Sequence, residues 1–322
     1  MSTAISEAGN IPVNAATPVV TYSPVVFDVP GRAAPLEIKV SAPATGTDLP
    51  IILLSHGHGE TNFIASLHGN APMAGFYAAH GFVVVQPTHL DDKALGLRDS
   101  GHPEAPMFWR SRVTDMHFIL DHLDEIEATV PGLAGRLDRD RIAAVGHSLG
   151  GHTTSMLLGS RVDDPEDPQT GDLSDPRIKV GVILASPGVS DEPTDGVMMQ
   201  RVRMLRFINF DTMTTPALVV AGDKDLNENF STRLSYRSDA YTHAPAPKTL
   251  LTMHGAEHIF GGITGFDTVE TTDEDPERVA TLRAMIWAYL RSALYPDDKA
   301  WPAAVEALES GAATSSGTVE SK

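Results

Sequence analysis

The hydrophobic positions of this chain fall into short continuous runs that alternate with segments of helical spacing. Continuous apolar runs are typical of strands that are covered on both faces in a parallel sheet. The runs predict strands at Pro50–Ser55, Gly81–Gln86, Arg141–Val145, Ile178–Ala185, Ala217–Ala221 and Thr249–Met253. An opening pair of strands is expected at Val19–Asp28 and Leu36–Ala42, because both stretches are rich in β-branched residues.

Helical spacing separates these strands. Between Arg112 and Ala128 the apolar residues recur every three or four positions, which places them on one face of a helix. Further helices are predicted at Ala71–His80, His147–Gly159 and Glu277–Leu294. The alternation predicts an α/β fold: one mostly parallel, twisted sheet of about eight strands, with helices on both faces.

The same pattern suggests how the chain is divided. Residues 17–296 are expected to form one domain, preceded by a flexible segment over residues 1–16. Residues 297–322 are expected to be a C-terminal extension, with a disordered tail from Ser310 because its residues are small and polar. Residues 187–216 are longer than a turn requires and are a possible lid insertion. Alternatively, Met198, Val202, Leu205 and Ile208 form a short helix that packs on the core.

Composition narrows the class of protein. Hydrophobic residues make up 42% of the 322 positions, which is enough to fill a sizeable core. The chain has 42 Asp and Glu against 24 Lys and Arg, a formal net charge of −18. Nucleic acids and anionic membranes are therefore not expected as partners.

The sequence shows no pattern of a transmembrane segment, no pattern of a signal peptide and no cysteine. No apolar run approaches the length of a membrane helix, so no transmembrane segment is expected. The first residues, MSTAISEAGNIPVN, lack the features of a signal peptide, so a cytoplasmic protein is expected unless a leader has been removed. There is no cysteine, which excludes a cysteine nucleophile and a thiolate metal site.

A serine flanked by glycines follows the predicted strand Arg141–Val145. The stretch from Gly146 to His152 reads GHSLGGH, with the pattern Gly-x-Ser-x-Gly around Ser148. In a strand-turn-helix elbow the serine has a strained backbone, and side chains two residues to either side would collide. Such a turn exposes the hydroxyl and leaves the N–H of Leu149 free at the helix start. Ser148 is the predicted nucleophile, whereas His152 is expected to be structural.

A serine hydroxyl needs a histidine as base and a carboxylate to orient that histidine. One predicted strand ends in GDKDLN and the last one ends in HGAEHIFGG. Because parallel strands share a carboxyl edge, both segments are expected to lie beside Ser148. Asp225 is the predicted acid and His258 the predicted base. Asp223 and His254 remain as the rival acid and the rival base.

The segment HGHGE at residues 56–60 follows the strand Pro50–Ser55 directly. An acyl-transfer site needs two preorganised N–H donors for the developing oxyanion. We expect these to be the N–H groups of His58 and Leu149. A metal site at His56 and His58, with the THLDD segment at residues 88–92, is the alternative, but no third and fourth ligand has the spacing usual for zinc. No metal is therefore expected.

Two long loops are candidate walls of a substrate pocket. The loop Asp91–Ser111 carries Phe108 and Trp109, and the segment 187–216 carries Met198 and Met199. These four side chains are the predicted substrate contacts.

The segments HGHG, GHSLGG, GDKD and GAEH, in this order, resemble the α/β-hydrolase superfamily over about Val19 to Leu294. The LSHGHGE start, the RVTD helix opening at Arg112 and the short connection before Asp225 are similar to one branch of it. That branch contains platelet-activating-factor acetylhydrolases, chlorophyllases and dienelactone-hydrolase-like proteins. True dienelactone hydrolases use a cysteine, which this chain lacks.

The resemblance and the predicted triad imply a serine esterase, or a lipase-like enzyme, that cleaves a small-molecule carboxylic ester through an acyl-enzyme. No cofactor is required for this chemistry. Two alternatives remain: an amidase or peptidase with the same triad, and a catalytically silent ligand-binding protein on the same fold.

Overall fold

The computed structural model describes residues 10–167, 171–191, 202–266, 268–310 and 316–322. Its strands are β1 (Val19–Phe27), β2 (Leu36–Pro43), β3 (Leu49–Ser55), β4 (Val83–Pro87), β5 (Leu137–His147), β6 (Arg161–Val162), β7 (Ile178–Leu184), β8 (Ile208–Asn209), β9 (Ala217–Gly222), β10 (Lys248–Met253) and β11 (Gly317–Ser321).

The described helices include two that the sequence analysis does not predict, Asp239–His243 and Ala300–Ser310, and the others begin and end close to the predicted positions, with one exception. They are α1 (Ala71–Ala79), α2 (Trp109–Asp121), α3 (Leu123–Thr129), α4 (Leu149–Leu157), α5 (Asp239–His243), α6 (Pro276–Leu294) and α7 (Ala300–Ser310), with short 3₁₀ turns at Lys93–Leu95, Arg203–Arg206 and Leu234–Ser238. None of the helices in the described ranges has the length and apolar character needed to cross a membrane.

The exception is the helix predicted from Arg112 to Ala128, which the structure divides into α2 and α3. His122 lies at the division with φ −113° and ψ 22°, outside helical geometry. Its ring stacks on Phe118 and its Nδ1 lies 2.8 Å from the Phe118 carbonyl oxygen. The spacing of apolar residues continues across this break, so the periodicity of the sequence does not reveal it.

Nine strands form one sheet in the order β1-β2-β4-β3-β5-β7-β9-β10-β11. Pairs β1/β2, β2/β4 and β10/β11 are antiparallel, and the remaining pairs are parallel. The prediction of an α/β fold with a mostly parallel sheet is confirmed. The expected count of about eight strands is low by one because β11 pairs with β10.

The continuous apolar runs serve two separate cores. Along β3, Ile51 and Leu53 pack with α2, α3 and α4, whereas Ile52 and Leu54 pack with α1, α6 and α7. Neighbouring side chains of a strand point to opposite faces of the sheet, so both faces must be apolar when helices cover both. This two-sided burial holds the central strands in place and puts their carboxyl ends along one edge.

Both ends of the chain differ from the expectation. In the N-terminal segment, residues 1–9 lie outside the described residues, but Ile11 is buried and the Asn14 carbonyl oxygen lies 2.9 Å from His80 Nδ1. In the tail, residues 311–315 lie outside the description, but β11 pairs with β10 from Gly317 to Ser321 instead of being disordered. The backbone N–H and C=O groups of β11 find hydrogen-bond partners on β10, although the side chains of β11 are too polar to indicate a strand.

The segment 187–216, predicted as a possible lid, is described except for residues 192–201. Its described apolar residues Val202, Leu205 and Ile208 are buried in the core with α2 and α4. Arg203–Arg206 forms a 3₁₀ turn, and β8 pairs with β6. Val202, Leu205 and Ile208 therefore pack on the core as the alternative predicts, but only Leu205 lies in the helical turn, and Met198 lies outside the described residues.

Candidate active site

Ser148 occupies a sharp turn between β5 and α4. Its backbone has φ 55° and ψ −121°, a strained conformation for a residue with a side chain. Its N–H donates a hydrogen bond of 2.9 Å to the carbonyl oxygen of Leu184 on β7. A Cβ atom on Gly146 would collide with the backbone of Gly150, and one on Gly150 would collide with the Ser55 carbonyl. The two glycines are therefore required by the turn, as the elbow pattern predicts.

The structure brings the predicted nucleophile, base and acid together. His258 Nε2 lies 2.9 Å from Ser148 Oγ, and His258 Nδ1 lies 2.9 Å from Asp225 Oδ2. These residues come from the loops after β5, β9 and β10, whose carboxyl ends share one edge of the sheet. A continuous hydrogen-bonded chain therefore runs from a buried carboxylate to a serine hydroxyl.

The rival residues make other contacts. Asp223 Oδ1 accepts a hydrogen bond of 2.7 Å from the N–H of Gly255 and so joins the loops after β9 and β10. The N–H of His254 donates to the Ser316 carbonyl oxygen at the start of β11. The hydrogen bond to Ser148 Oγ comes from His258.

The environment of Asp225 keeps this carboxyl group ionised. Burial by itself would raise the pKa of Asp225, but the neighbouring charge and hydrogen bond of His258 and the charge of Arg237 outweigh it, so this pKa is lowered. Arg237 Nη2 donates to Asp225 Oδ1 at 3.1 Å and Arg237 Nη1 donates to the Ala185 carbonyl oxygen at 3.1 Å. An ionised carboxylate can hold the imidazole in one tautomer and stabilise its cation.

His147 is a member of the site that the sequence analysis did not assign. Its Nε2–H donates a hydrogen bond of 2.8 Å to the backbone carbonyl of His258, and the two rings are 4.9 Å apart. Burial, with the adjacent charge of His258, lowers the pKa of His147 to about 3, so its ring is neutral near pH 7. Its place directly before Ser148 in GHSLG was the available signal.

The loop after β3 packs against the elbow. A Cβ atom on Gly57 would lie 3.3 Å from Ser148 Cβ, so only a residue without a side chain fits comfortably there. The N–H of Leu149 is at the first position of α4, where a helix has no internal acceptor for it. Neither this N–H nor that of His58 donates to another described residue. Both predicted oxyanion donors are therefore available at the edge of the sheet that carries Ser148.

The histidines considered as metal ligands are committed to hydrogen bonds. His56 Nε2 accepts from the N–H of His89 at 3.0 Å, so His56 Nδ1 carries the hydrogen and donates to the Gly57 carbonyl at 2.6 Å. His58 Nδ1 lies 2.7 Å from Asp91 Oδ2. Within the described ranges no three His, Asp or Glu side chains are grouped as metal ligands would be.

Two of the four predicted substrate contacts, Phe108 and Trp109, are buried. Phe108 has no exposed surface and packs 4.9 Å from the ring of His102, so the structure contradicts its assignment to an open pocket wall. Trp109 is buried against His152, edge to face at 6.0 Å. Phe108 has φ 48° at the start of α2, and this local turn is not visible in the sequence pattern. Met198 and Met199 lie outside the described residues.

His152 is fully buried, which confirms that it is not part of the exposed site. Neither of its ring nitrogens has a hydrogen-bond partner among the described residues. Burial lowers the pKa of His152 to about 3, so the ring is neutral near pH 7.

No model of a known protein family matches this chain, and no curated protein matches it significantly. The geometry around Ser148 is therefore the basis for a functional assignment.

Proposed function

We propose that this protein is a serine hydrolase of the α/β-hydrolase type that cleaves a carboxylic ester. The observation that carries the proposal is the hydrogen-bonded chain from Asp225 through His258 to Ser148, with the serine on a strained elbow. Structural serines do not require a strained turn, a histidine at 2.9 Å and a buried carboxylate behind it. Those three features together are what nucleophilic catalysis by serine needs.

In the proposed reaction His258 Nε2 takes the proton of Ser148 as the serine oxygen attacks the ester carbonyl carbon. The carbonyl oxygen becomes an oxyanion, which accepts hydrogen bonds from the N–H groups of His58 and Leu149. Collapse of this intermediate breaks the bond to the alcohol, which leaves with the proton from His258. Water, deprotonated by His258, then attacks the acyl-enzyme and releases the acid and the free serine.

Asp225 contributes by orienting His258 and by stabilising its cation. The lowered pKa of Asp225 keeps it negatively charged while His258 gains and loses the proton. Arg237 and the hydrogen bond from His147 to the His258 backbone hold the acid and the base in this geometry.

Exposed apolar side chains on the loops at this edge of the sheet favour an uncharged substrate with apolar parts. The loops that follow the strands carry the exposed apolar side chains of Phe63, Leu226 and Phe266. Leu226 is adjacent to Asp225, and Phe266 lies on the loop that carries His258. The net charge of −18 disfavours polyanionic substrates. We therefore propose neutral esters of small or medium size as the substrate class.

Labelling with a fluorophosphonate probe tests the nucleophile. The wild type should react at Ser148, because the probe requires an activated serine, and Ser148→Ala should not react. The exposed Ser100 offers a matched control, since Ser100→Ala should label like the wild type. Ester turnover should fall by about 10⁴-fold or more in Ser148→Ala. Absence of labelling in the wild type, or equal labelling in Ser148→Ala, would contradict the proposal.

Matched ester and amide substrates test the bond that is cleaved. Both reactions use the same nucleophile, so the acyl group should be kept constant and only the leaving group changed. The proposal expects a kcat/KM that is larger for the ester. A larger value for the amide would assign an amidase instead, and no turnover of either would favour a binding protein.

A further inference from the structure

We propose that Arg112 is a positioning residue, which aims the backbone N–H of His58 toward the oxyanion. This inference rests on the proposed function, because it concerns the oxyanion donor of that reaction. It assigns a role to a buried arginine that makes no contact with Ser148, His258 or Asp225 among the described hydrogen bonds.

The guanidinium of Arg112 is fully buried below the loop that follows β3. Its Nε donates to Asp91 Oδ1 at 2.9 Å and its Nη2 donates to Asp91 Oδ2 at 3.1 Å. This paired contact fixes the plane of the guanidinium as well as its position. The remaining N–H groups therefore have fixed directions.

Those N–H groups bind the end of β3 and the first residues after it. Nη1 donates to the His56 carbonyl at 2.8 Å and to Ser55 Oγ at 3.3 Å, and Nη2 donates to the Gly57 carbonyl at 3.1 Å. A guanidinium has five N–H groups, and these contacts with those to Asp91 use all of them. Two consecutive peptide carbonyls are thus held by a single rigid group.

A held carbonyl also orients the N–H of the same peptide. The peptide between Gly57 and His58 is not among the cis bonds of the chain, so its C=O and N–H point in opposite directions within one plane. With the Gly57 carbonyl directed at Arg112, the N–H of His58 is directed away from Arg112. Gly57 packs against Ser148 Cβ, so this peptide lies beside the nucleophile.

Asp91 holds the other side of His58. Its Oδ2 lies 2.7 Å from His58 Nδ1 while both of its oxygens accept from Arg112. The side chain and the preceding peptide of His58 are therefore anchored to the same buried ion pair. An N–H held in this way needs no reorganisation when charge develops on the substrate oxygen.

The alternative is that Arg112 only stabilises the fold, and Arg32 is a matched control for it. Arg32 is also a buried arginine that binds a buried carboxylate, with its Nε 2.8 Å from Asp115 Oδ1. Its other described contacts are backbone carbonyls of residues 34, 35 and 88, none of which lies in the loop over residues 56–58. A purely structural role predicts similar effects for the two arginines.

The experiment compares Arg112→Lys with Arg32→Lys. Lysine keeps the positive charge but cannot bind Asp91 and two carbonyls in one plane. We expect Arg112→Lys to lower kcat by about 10²- to 10³-fold, the usual effect of losing one oxyanion donor, with KM changed by only a few-fold. The affinity for a trifluoromethyl ketone, which forms an oxyanion with Ser148, should fall in parallel. Arg32→Lys should keep kcat within a few-fold, although its unfolding midpoint in urea falls.

If Arg112→Lys does not fold, His58→Gln provides the second test. His58 is partly exposed, so its substitution keeps the core intact, and the change removes the ring contact with Asp91 while retaining the backbone N–H. We expect kcat and inhibitor affinity to fall together by about tenfold, as for a donor that is loosened but present. Either variant with kcat and inhibitor affinity of the wild type would overturn the inference, as would an equal loss of kcat in Arg32→Lys. Failure of the wild type to hydrolyse esters or label at Ser148 would instead overturn the proposed function.

Discussion

Two groups of the same three residue types, Asp, His and Arg, lie at the edge of the sheet that carries Ser148. In the first, Asp225 accepts from His258 Nδ1 at 2.9 Å and also binds Arg237. In the second, Asp91 accepts from His58 Nδ1 at 2.7 Å and also binds Arg112. Both carboxylates are buried, and the histidine side chains are 33% and 25% exposed.

The groups differ in what the remaining atoms contact. His258 has its second nitrogen on Ser148 Oγ, whereas no described hydrogen bond joins the His58 ring to that oxygen. Conversely, Arg112 binds two consecutive carbonyls of the loop after β3, whereas among the described residues Arg237 binds one backbone carbonyl besides Asp225. In the proposed mechanism, the same residue types serve proton transfer in one group and fixed backbone geometry in the other.

Removing each histidine in turn is the most severe test of this comparison. His258→Ala should lower kcat by about 10⁴-fold or more, because the general base is lost. His58→Ala should lower it only about tenfold, because the backbone N–H remains. Steady-state rates on a p-nitrophenyl ester measure both. Equal losses in the two variants would assign a proton-transfer role to His58 and remove the distinction.

The acid is tested by the neighbouring carboxylates Asp225 and Asp223. Asp225→Asn should lower kcat by about 10³- to 10⁴-fold, because the amide does not stabilise the imidazole cation or keep its tautomer. Asp223→Asn should keep kcat within a few-fold, since Asp223 contacts the N–H of Gly255 instead. The same ester assay separates them. A reversed order would mean that His258 changes its carboxylate partner during the reaction.

His152 shows what a buried histidine does without a carboxylate. Its pKa is about 3 in the folded protein, against about 6.5 when unfolded, so the unfolded chain gains a proton first as the pH falls. The contribution of the neutral His152 to the free energy of unfolding is therefore fully present above about pH 6.5 and is lost progressively as the pH falls toward 3. Because of His152 alone, the free energy of unfolding should be about 2 kcal/mol lower at pH 5 than at pH 8.

His152→Leu should remove that share of the pH dependence. Urea unfolding at pH 5 and pH 8 measures the difference in each protein, and the variant should lose about 2 kcal/mol less than the wild type. Thr153→Val at the next position of α4 provides the control, because it changes no titratable group and should unfold with the pH dependence of the wild type. An unchanged pH dependence in His152→Leu would show that His152 is already protonated or solvated in the folded state.

The local sequence was sufficient to predict those structural features whose physical cause lies within a few residues of the chain. Continuous apolar runs predict the central strands, because two covered faces leave no position for a polar side chain. Gly146 predicts the elbow at Ser148, because the collision that it avoids is with the backbone of Gly150, only four residues away. The chain order of the proposed nucleophile, acid and base was visible because each follows a predicted strand.

The local sequence was insufficient to predict features that arise from contacts between distant parts of the chain. The sequence left Asp223 as a rival to Asp225 for the acid. It also wrongly predicted Phe108 as a wall of an open pocket, although this side chain packs inward. β11 has few apolar residues and exists because β10 offers it a hydrogen-bonding edge.

The roles of Arg112, Arg237 and His147 have the same origin. Each depends on a polar atom that is held by a residue far away in the chain, as when Arg112 on α2 binds the carbonyls after β3. Burial makes these contacts strong and directional, because a buried charge must satisfy all its hydrogen bonds. Spacing along the chain predicted which residue types reach the edge of the sheet. Which atom of each residue faces Ser148 depends on the packing of both cores against the sheet.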